Sequence, residues 1–427
     1  MTILVILSLL LLLLMASIPV AIAILVLGLL VGFIFSSFPL HRVMGEIFWS
    51  ASTDFLLLAI PLFVLLGEVL LRAGIAKRTY SALDKWLSWL PGGLMHANIG
   101  TAAMFAATSG SSVATAATIS TVALPQARRY GYREGFFAGT IAAGGTLGIL
   151  IPPSINLIVY GFLTNTSIPQ LFMAGIVPGV LLAIVFMLVI LAICLVKPGM
   201  GGGQRSATWQ ERFASLKDLL PVLFIFAVVI GSIYAGWATP TESAALGVIA
   251  SVVLALRYRA VNGEFIKEVM EGTMRTTAMI MLILISANYL NFVLDAVGMA
   301  DMLKQFVTHL GLSPMKTLLV IIAMYVVLGL FVETLSLMVI TVPIVTPVVI
   351  SSGFDPVWFG ILLILLIEMA LITPPVGLNL YVVQGVRQQG NISEVMVGSL
   401  PFVMGIFITI GVVVVHPDLA LVLAKMV

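Results

Sequence analysis

One cysteine (Cys194), four histidines and a 9% share of charged residues leave this 427-residue chain little with which to do the usual chemistry of a soluble protein. A lone cysteine excludes an intramolecular disulfide. The histidines are scattered without the spacing of a transition-metal site. No basic run resembles a nucleic-acid surface, so no nucleic-acid partner is expected. An ordinary soluble domain carries roughly 25% charged residues; this chain, with 61% hydrophobic residues, belongs in a bilayer. No polar segment the size of a domain interrupts the apolar stretches, so the chain reads as one all-α polytopic membrane protein surrounded by lipid. A multispan lipid-modifying enzyme would need a clustered nucleophile, acid–base pair or metal site facing one leaflet, and none is visible.

Apolar runs predict spans near Thr2–Ile18, Pro19–Phe35, Gly45–Leu71, 134–162, Leu171–Val196, Leu219–Trp237, Thr241–Leu256, Thr276–Val297, 357–386 and Val395–Val415. The first segment lacks the positive n-region of a cleavable signal and is read as a retained helix. Two further stretches, 96–124 and 316–349, hold Gly, Ser or Thr near the middle and are each shorter than two crossings. They read as re-entrant hairpins, which are tolerated where protein or a watery cavity covers the backbone. With this threading, sixteen of the twenty Lys and Arg residues, from Arg72 to Arg387, lie on one face, and only Arg42, Lys304, Lys316 and Lys425 on the other. The crowded face is therefore cytoplasmic and both termini are outside. The segment from Ile75, mixing Lys77, Arg78 and Lys85 with Trp86 and Trp89, predicts an amphipathic helix along the cytoplasmic interface, and the segment from Gly298 its counterpart outside.

Backbone-setting residues recur at a fixed interval. Pro125, Gly131, Pro152 and Pro153 repeat as Pro347, Gly353, Pro374 and Pro375, each at 222 (347 minus 125, 353 minus 131, 374 minus 152, 375 minus 153). The loop after the first hairpin, from Gln126, is basic, whereas its counterpart from Val349 has no basic residue, as inverted repeats require. The chain thus divides into a first repeat (1–196, hairpin 96–124, broken helix 134–162), a glycine-rich cytoplasmic linker (197–218) and a second repeat (219–427, hairpin 316–349, broken helix 357–386).

Breakers at matched depth in two halves point to a paired substrate and ion site. Packing of small residues explains the alanines of the first hairpin, but not double proline at mid-helix in both halves. Carbonyls freed at Gly145, Gly148 and Pro152 cannot face lipid, and they are expected to meet the turn Ser109, Gly110, Ser111 and Ser112. Glu333 and Thr334 with Thr373 and Pro374 form the counterpart. Neutral oxygens around an unwound turn suit dehydrated sodium, so one Na+ is expected in each half. The second arm of each hairpin begins at Ser112 or Thr334 and presents a positive dipole end, which favours an anion between them. Ser111, Asn156 and Asn379 would add hydrogen bonds to a carboxylate or its hydroxyls. Glu368 either supports its broken helix or carries a proton, Glu333 either ligates sodium or carries a proton, and Glu68, four residues before Arg72, reads as an ion pair.

The segments SGSSVATAATISTVALP from Ser109, GTLGILIPPSIN from Gly145 and ITPPVGLNLYVV from Ile372 resemble the large membrane (M) subunit of the tripartite ATP-independent periplasmic (TRAP) transporters, and the resemblance spans essentially the whole chain. It implies an elevator-type fold like that of divalent anion:sodium symporters, sodium-driven uptake of an organic acid, and two partners: a small four-helix membrane (Q) subunit and a periplasmic solute-binding (P) protein. It implies no enzyme activity and a bacterial inner-membrane location. The alternative is a binding-protein-independent sodium/anion symporter of the same superfamily. The opposed loop charges give the first test: cysteines placed at Gln126 and Ser351 should be labelled from opposite sides of the membrane by an impermeant thiol reagent. Labelling of both from one side would remove the inverted-repeat reading.

Overall fold

Proline and glycine end helices because one lacks an amide donor and the other has no conformational preference to hold it there. In the computed structural model, which describes all residues except 1–4, 7, 10, 11, 14, 15, 17, 204–206, 300, 301, 303, 304, 306–310 and 427, the regular structure of the described residues is entirely helical. The helices used below are α1 (Val20–Phe35), α2 (Met44–Ser52), α3 (Ala59–Arg72), α4 (Ile75–Leu87), α5 (Leu94–Ser109), α6 (Ser112–Arg129), α7 (Glu134–Thr146), α8 (Ile155–Thr164), α9 (Ile168–Val196), α10 (Trp209–Ser215), α11 (Leu220–Tyr234), α12 (Pro240–Arg257), α13 (Gly263–Ala296), α14 (Pro314–Gly329), α15 (Thr334–Ser351), α16 (Pro356–Ile372), α17 (Leu378–Arg387) and α18 (Ile392–Val415).

Two helical hairpins, α5–α6 and α14–α15, are each followed by a broken helix, α7–α8 and α16–α17. The starts of α6 and α15, their ends, and the starts of α7 and α16 all differ by 222 (334 minus 112, 351 minus 129, 356 minus 134). Between α7 and α8 the chain passes through a 3-10 turn, Leu147–Ile149, before Pro152–Pro153; Gly377, in the left-handed region at φ 45°, starts α17 after Pro374–Pro375.

Several spans differ from those that hydropathy predicts. The run Gly45–Leu71 is two helices, α2 and α3, because Asp54 Oδ1 accepts from the Leu56 amide at 2.8 Å and turns the chain inside an otherwise apolar stretch. The run Thr276–Val297 is the second part of α13, a 34-residue helix whose first turns carry Glu264, Lys267, Glu268 and Glu271. The hairpins extend over 94–129 and 314–351. Helix α4 follows α3 after a 66° bend at Gly74. Most of the predicted first span and of the outer amphipathic segment after Gly298, Lys304 included, lies outside the described residues.

Helices α1, α2, α3, α11, α12 and α13 pack mainly on one another and form a framework; α5 to α9 and α14 to α18 form an inner bundle. Leu220, Leu223, Phe224, Ile249 and Val253 of the framework are exposed, which in an apolar helix is a lipid-facing surface. In contrast, α7 from Phe136 onward and α16 from Val357 onward are buried on every face. Those two helices therefore lack the stripe of an amphipathic helix, and Glu368 is the one ionisable side chain in their enclosed parts. Polar groups at their neighbours' ends are paired internally: Tyr160 donates to the Pro356 carbonyl at 2.7 Å and Trp358 Nε1 to that of Val413 at 3.0 Å.

The crossing of α7 against α18 is made by glycine. A methyl on Gly398 would collide with the Gly135 carbonyl, and one on Gly139 with the backbone of Gly398. Small residues that let two backbones touch hold helices together in lipid, where no hydrophobic force does so. Gly411 in the same helix α18 has nothing within 4 Å of such a methyl. Gly398→Ala should therefore lower the thermal unfolding midpoint in detergent by the equivalent of about 1–3 kcal/mol, while Gly411→Ala should leave it unchanged or raise it. Equal effects would show that the crossing is not limited by backbone approach.

Candidate functional site at the hairpin turns and helix breaks

The first turn reverses over two residues. Gly110 takes the left-handed conformation at φ 58°, Ser111 is extended, and the Ser111 Oγ accepts from the Ala114 amide at 3.4 Å as the cap of α6. Thr115 Oγ1 donates to the Ser111 carbonyl at 2.7 Å, which leaves Ser109 Oγ to donate to Thr115 across 2.9 Å. Three oxygens are thereby gathered on one side of the turn. The facing break comes equally close: a methyl on Gly148 would lie 2.7 Å from the Ser111 carbonyl oxygen and 3.0 Å from the Ser112 nitrogen, and one on Gly110 3.0 Å from the Pro153 carbonyl oxygen. Thus Gly110, Ser111 and Ser112 lie against Gly148 and Pro153, while the Ser109 backbone lies against Gly67 of α3. Ser154 closes the break, donating to the Ile149 carbonyl at 2.5 Å and accepting from the Leu157 amide at 3.4 Å. Asn156, one turn into α8, is buried and its Nδ2 has no partner.

The second turn is built with charge. Glu333 caps α15: Oε1 accepts from the Leu335 amide (3.1 Å) and the Thr334 hydroxyl (2.9 Å), and Oε2 from the amide and hydroxyl of Ser336 (3.0 and 2.8 Å). A carboxylate at this place also meets the positive end of the helix. In the facing break, Thr373 donates to the Met369 carbonyl at 2.5 Å, and Pro374 is half-buried. Among the described residues no hydrogen bond joins Glu333 or Thr334 to Thr373 or Pro374. Glu368, one turn earlier in α16, is fully buried and neither of its carboxylate oxygens has a partner.

Asn379 lies where the two breaks cross. It is fully buried, its Nδ2 donates to the Ala142 carbonyl of α7 at 3.1 Å, and a methyl on Gly145 would sit 3.1 Å from the same nitrogen. Its Oδ1 has no partner. The second broken helix is thus fastened to the first beside Gly145. Sequence reasoning grouped Asn379 with Asn156 by position after the proline pairs and did not see this crossing. It also passed over Thr115, Ser154 and Ser336, although Thr115 follows Ser111 by four residues and Ser336 follows Glu333 by three, the intervals of one helical turn.

The donor set consists of hydroxyls, backbone carbonyls, amides and, at the second turn, the Glu333 carboxylate. No group of three or more His, Cys, Asp or Glu residues that could hold a metal exists among the described residues. Such oxygens fit a hard monovalent cation and not a zinc-type ion. Glu68, as its spacing suggested, pairs with Arg72 at 3.1 Å, and Arg72 reaches Glu268 at 2.5 Å, tying α3 to α13.

Residues 6–419 match the family described as tripartite ATP-independent periplasmic transporter, DctM component. The chain belongs to this family. As a TRAP large permease it is 35% identical, over 93% of its own length and 92% of the relative's, to the C4-dicarboxylate TRAP transporter large permease protein DctM of Pseudomonas aeruginosa. It is 32% identical to the sialic acid TRAP transporter large permease protein SiaM of Vibrio cholerae, over 91% and 90% of the two chains. Its fold is similar to that of the YdaH transporter of Alcanivorax borkumensis, with a TM-score of 0.61, 13% identity and coverage of 94% and 98%. This TRAP permease is a multi-pass protein of the bacterial inner membrane, with five helices among the described residues long and apolar enough to cross, or up to seven if bent pairs count as one.

Because Glu333 holds four donors of the first turn of α15, Glu333→Ala should destabilise the permease by about 1–2 kcal/mol, and Glu333→Asp, which keeps a capping carboxylate, should recover most of the loss. Thermal unfolding in detergent measures both. A wild-type midpoint for Glu333→Ala would mean that the cap contributes nothing.

Proposed function

We propose that this TRAP permease carries an organic acid anion into the cell, driven by sodium, by an elevator movement of the inner bundle against the framework. The observation that carries the reading is the pairing of a hairpin turn, opened by Gly110 in the first half and capped by Glu333 in the second, with a following broken helix, at one spacing of 222 (334 minus 112). Each pairing gathers non-helical backbone oxygens that need a partner inside the membrane. Sodium would be taken by Ser109, Gly110, Ser112, Gly145, Gly148 and Pro152 in the first half, and by Glu333, Thr334, Thr373 and Pro374 in the second. The anion would lie between the starts of α6 and α15, held by Ser111, Ser112, Asn156, Thr334 and Asn379. Relatives named for C4-dicarboxylate, sialic acid and 2,3-diketo-L-gulonate support an organic acid as the solute class. The reading assigns the chain no catalytic residue and no enzyme activity.

The elevator reading draws on the division of the helices. A cavity of about 760 Å³ opens between framework residues Asp54, Asn288 and Asn291 and bundle residues Asn165, Thr346 and Ser351. Gly67 of α3 allows the framework to meet the first turn directly, since a methyl there would lie 3.1 Å from the Ser109 carbonyl. The matched boundaries also support division into inverted repeats, 1–196 and 219–427, joined by the linker 197–218. As partners we propose a small four-helix membrane subunit and a periplasmic solute-binding protein. In the isethionate TRAP transporter permease protein DctMQ of Oleidesulfovibrio alaskensis the matching part fills 55% of the polypeptide, which leaves room there for a further membrane segment.

The test is uptake into proteoliposomes against external sodium at fixed pH. With both partners present, uptake should require sodium; the permease alone should not accumulate solute. Gly145→Val and Gly148→Val, which have no space for a side chain, should be more damaging than Ser111→Ala or Thr334→Ala, each of which removes at most one oxygen. Loss of one ligand should weaken sodium binding by about 1–3 kcal/mol, or roughly 5- to 150-fold. Robust uptake by the permease alone would favour the simple symporter. Uptake driven by a proton gradient without sodium would move the coupling role to Glu333 and Glu368.

A further inference from the structure

At the end of the inner bundle that the charge distribution assigns to the cytoplasm, a cavity of about 990 Å³ opens between the start of α7, the end of α9 and the start of α18. None of the proposed sodium or solute residues lines it. Beside it runs an ion-pair network joining the two halves. Arg387 Nε donates to Glu134 Oε2 at 3.0 Å and its Nη2 to Glu394 Oε2 at 2.5 Å, while Arg128 Nε donates to Glu134 Oε1 at 3.1 Å and its Nη2 to the Arg387 carbonyl at 3.0 Å. Both lining carboxylates, Glu134 and Glu394, are therefore committed to arginine. Arg387 itself lines the cavity, is only 6% exposed, and its Nη1 has no partner. Arg133 and Lys197 bring two further cations to the lining, and neither has a carboxylate partner among the described residues.

Apart from Ser393 the rest of the wall is apolar: Ile193, Val196, Val397 and Pro401 come from α9 and α18, both long and apolar enough to cross the membrane. Val196 and Val397 are 78% and 65% exposed, so the cavity is open sideways where acyl chains would lie. A small soluble anion has no use for such a wall. A buried guanidinium with a free N–H, two unpaired cations and an apolar flank at a span's cytoplasmic end together match a phosphodiester attached to a hydrocarbon chain.

We propose that this cavity binds an anionic phospholipid, with its phosphate against Arg133 and Lys197 beside the buried Arg387 guanidinium and an acyl chain along Ile193, Val196 and Val397. The occupant bridges α7, α9 and α18, and so braces the ends of the inner bundle independently of the transported solute.

The experiment titrates the delipidated, detergent-purified full chain with dioctanoyl phosphatidylglycerol, dioctanoyl phosphatidylcholine or inorganic phosphate, followed by native mass spectrometry and thermal unfolding. Phosphatidylglycerol should bind and raise the unfolding midpoint, phosphatidylcholine should bind at least about 10-fold more weakly, and phosphate should have no effect. A cation near an anionic headgroup contributes about 1 kcal/mol, or roughly fivefold in affinity, so the double variant Arg133→Ala/Lys197→Ala should weaken phosphatidylglycerol by about 25-fold. Neither residue belongs to the ion-pair network, so the fold should persist. Val397→Trp, which fills the apolar wall and changes no charge, should also weaken binding. Equal binding of the two lipids, an unchanged affinity in either variant, or phosphate matching phosphatidylglycerol would overturn the proposal, the last by showing a site for a free anion.

Discussion

Everything in this permease depends on non-helical backbone being buried inside a membrane protein. The breaks at Leu147–Ile149 with Pro152–Pro153 and at Thr373–Gly377 release carbonyls and amides that lipid cannot satisfy. The fold answers by placing them at the centre, so that α7 and α16 are enclosed on all faces and a hairpin turn lies against the first break at backbone distance. In the reading proposed above the oxygens that result would ligate the coupling ion, and they are free to do so because the helix is interrupted. The surrounding helices thus contain a structural liability that the fold carries at its centre.

The two halves contain it differently. In the first, hydroxyls of Ser109, Thr115 and Ser111 organise a neutral turn, most of it buried. In the second, the exposed Glu333 carboxylate holds the first turn of α15, and Pro375 and Val376 of the facing break are exposed. A charge in that position is tolerable because it meets four donors and a helix N-terminus. The halves are therefore related in chain path but not in electrostatics, and an ion bound to each would meet a different field. Asn379 then links them: its amide hydrogen bond to Ala142 couples the second break to the first through one side chain.

One end of the bundle is fastened by charge and by close backbone packing together. Arg128, Glu134, Arg387 and Glu394 tie the first half to the second at one end, where water can solvate what remains unpaired. Beside these ion pairs and one turn further in, the same halves meet through Gly135, Gly139 and Gly398, where the lack of side chains lets the two backbones touch. In the framework the ion pairs Glu68–Arg72–Glu268 join the end of α3 to the start of α13, and the Tyr289 ring of α13 packs against Gly28 of α1.

Local chemistry was legible in the sequence. Proline pairs, glycines and hydroxyl-rich turns act on the backbone within a few residues, so Ser109–Ser112, Pro152–Pro153, Glu333–Thr334 and Pro374–Pro375 disclosed both hairpins, both breaks and the family resemblance. Composition alone placed the chain in a bilayer. Asp54 was the local exception: its turn lies inside an apolar run, where hydropathy averages it away, and so α2 and α3 read as one span. What only the tertiary structure decided were meetings between distant residues. Asn379 and Ala142 are 237 residues apart, and Arg387 and Glu134 are 253 apart; neither pair carries a local signal of the other. Their contact follows from how the broken helices and hairpins pack together, a property of the whole set of apolar surfaces and not of any one segment.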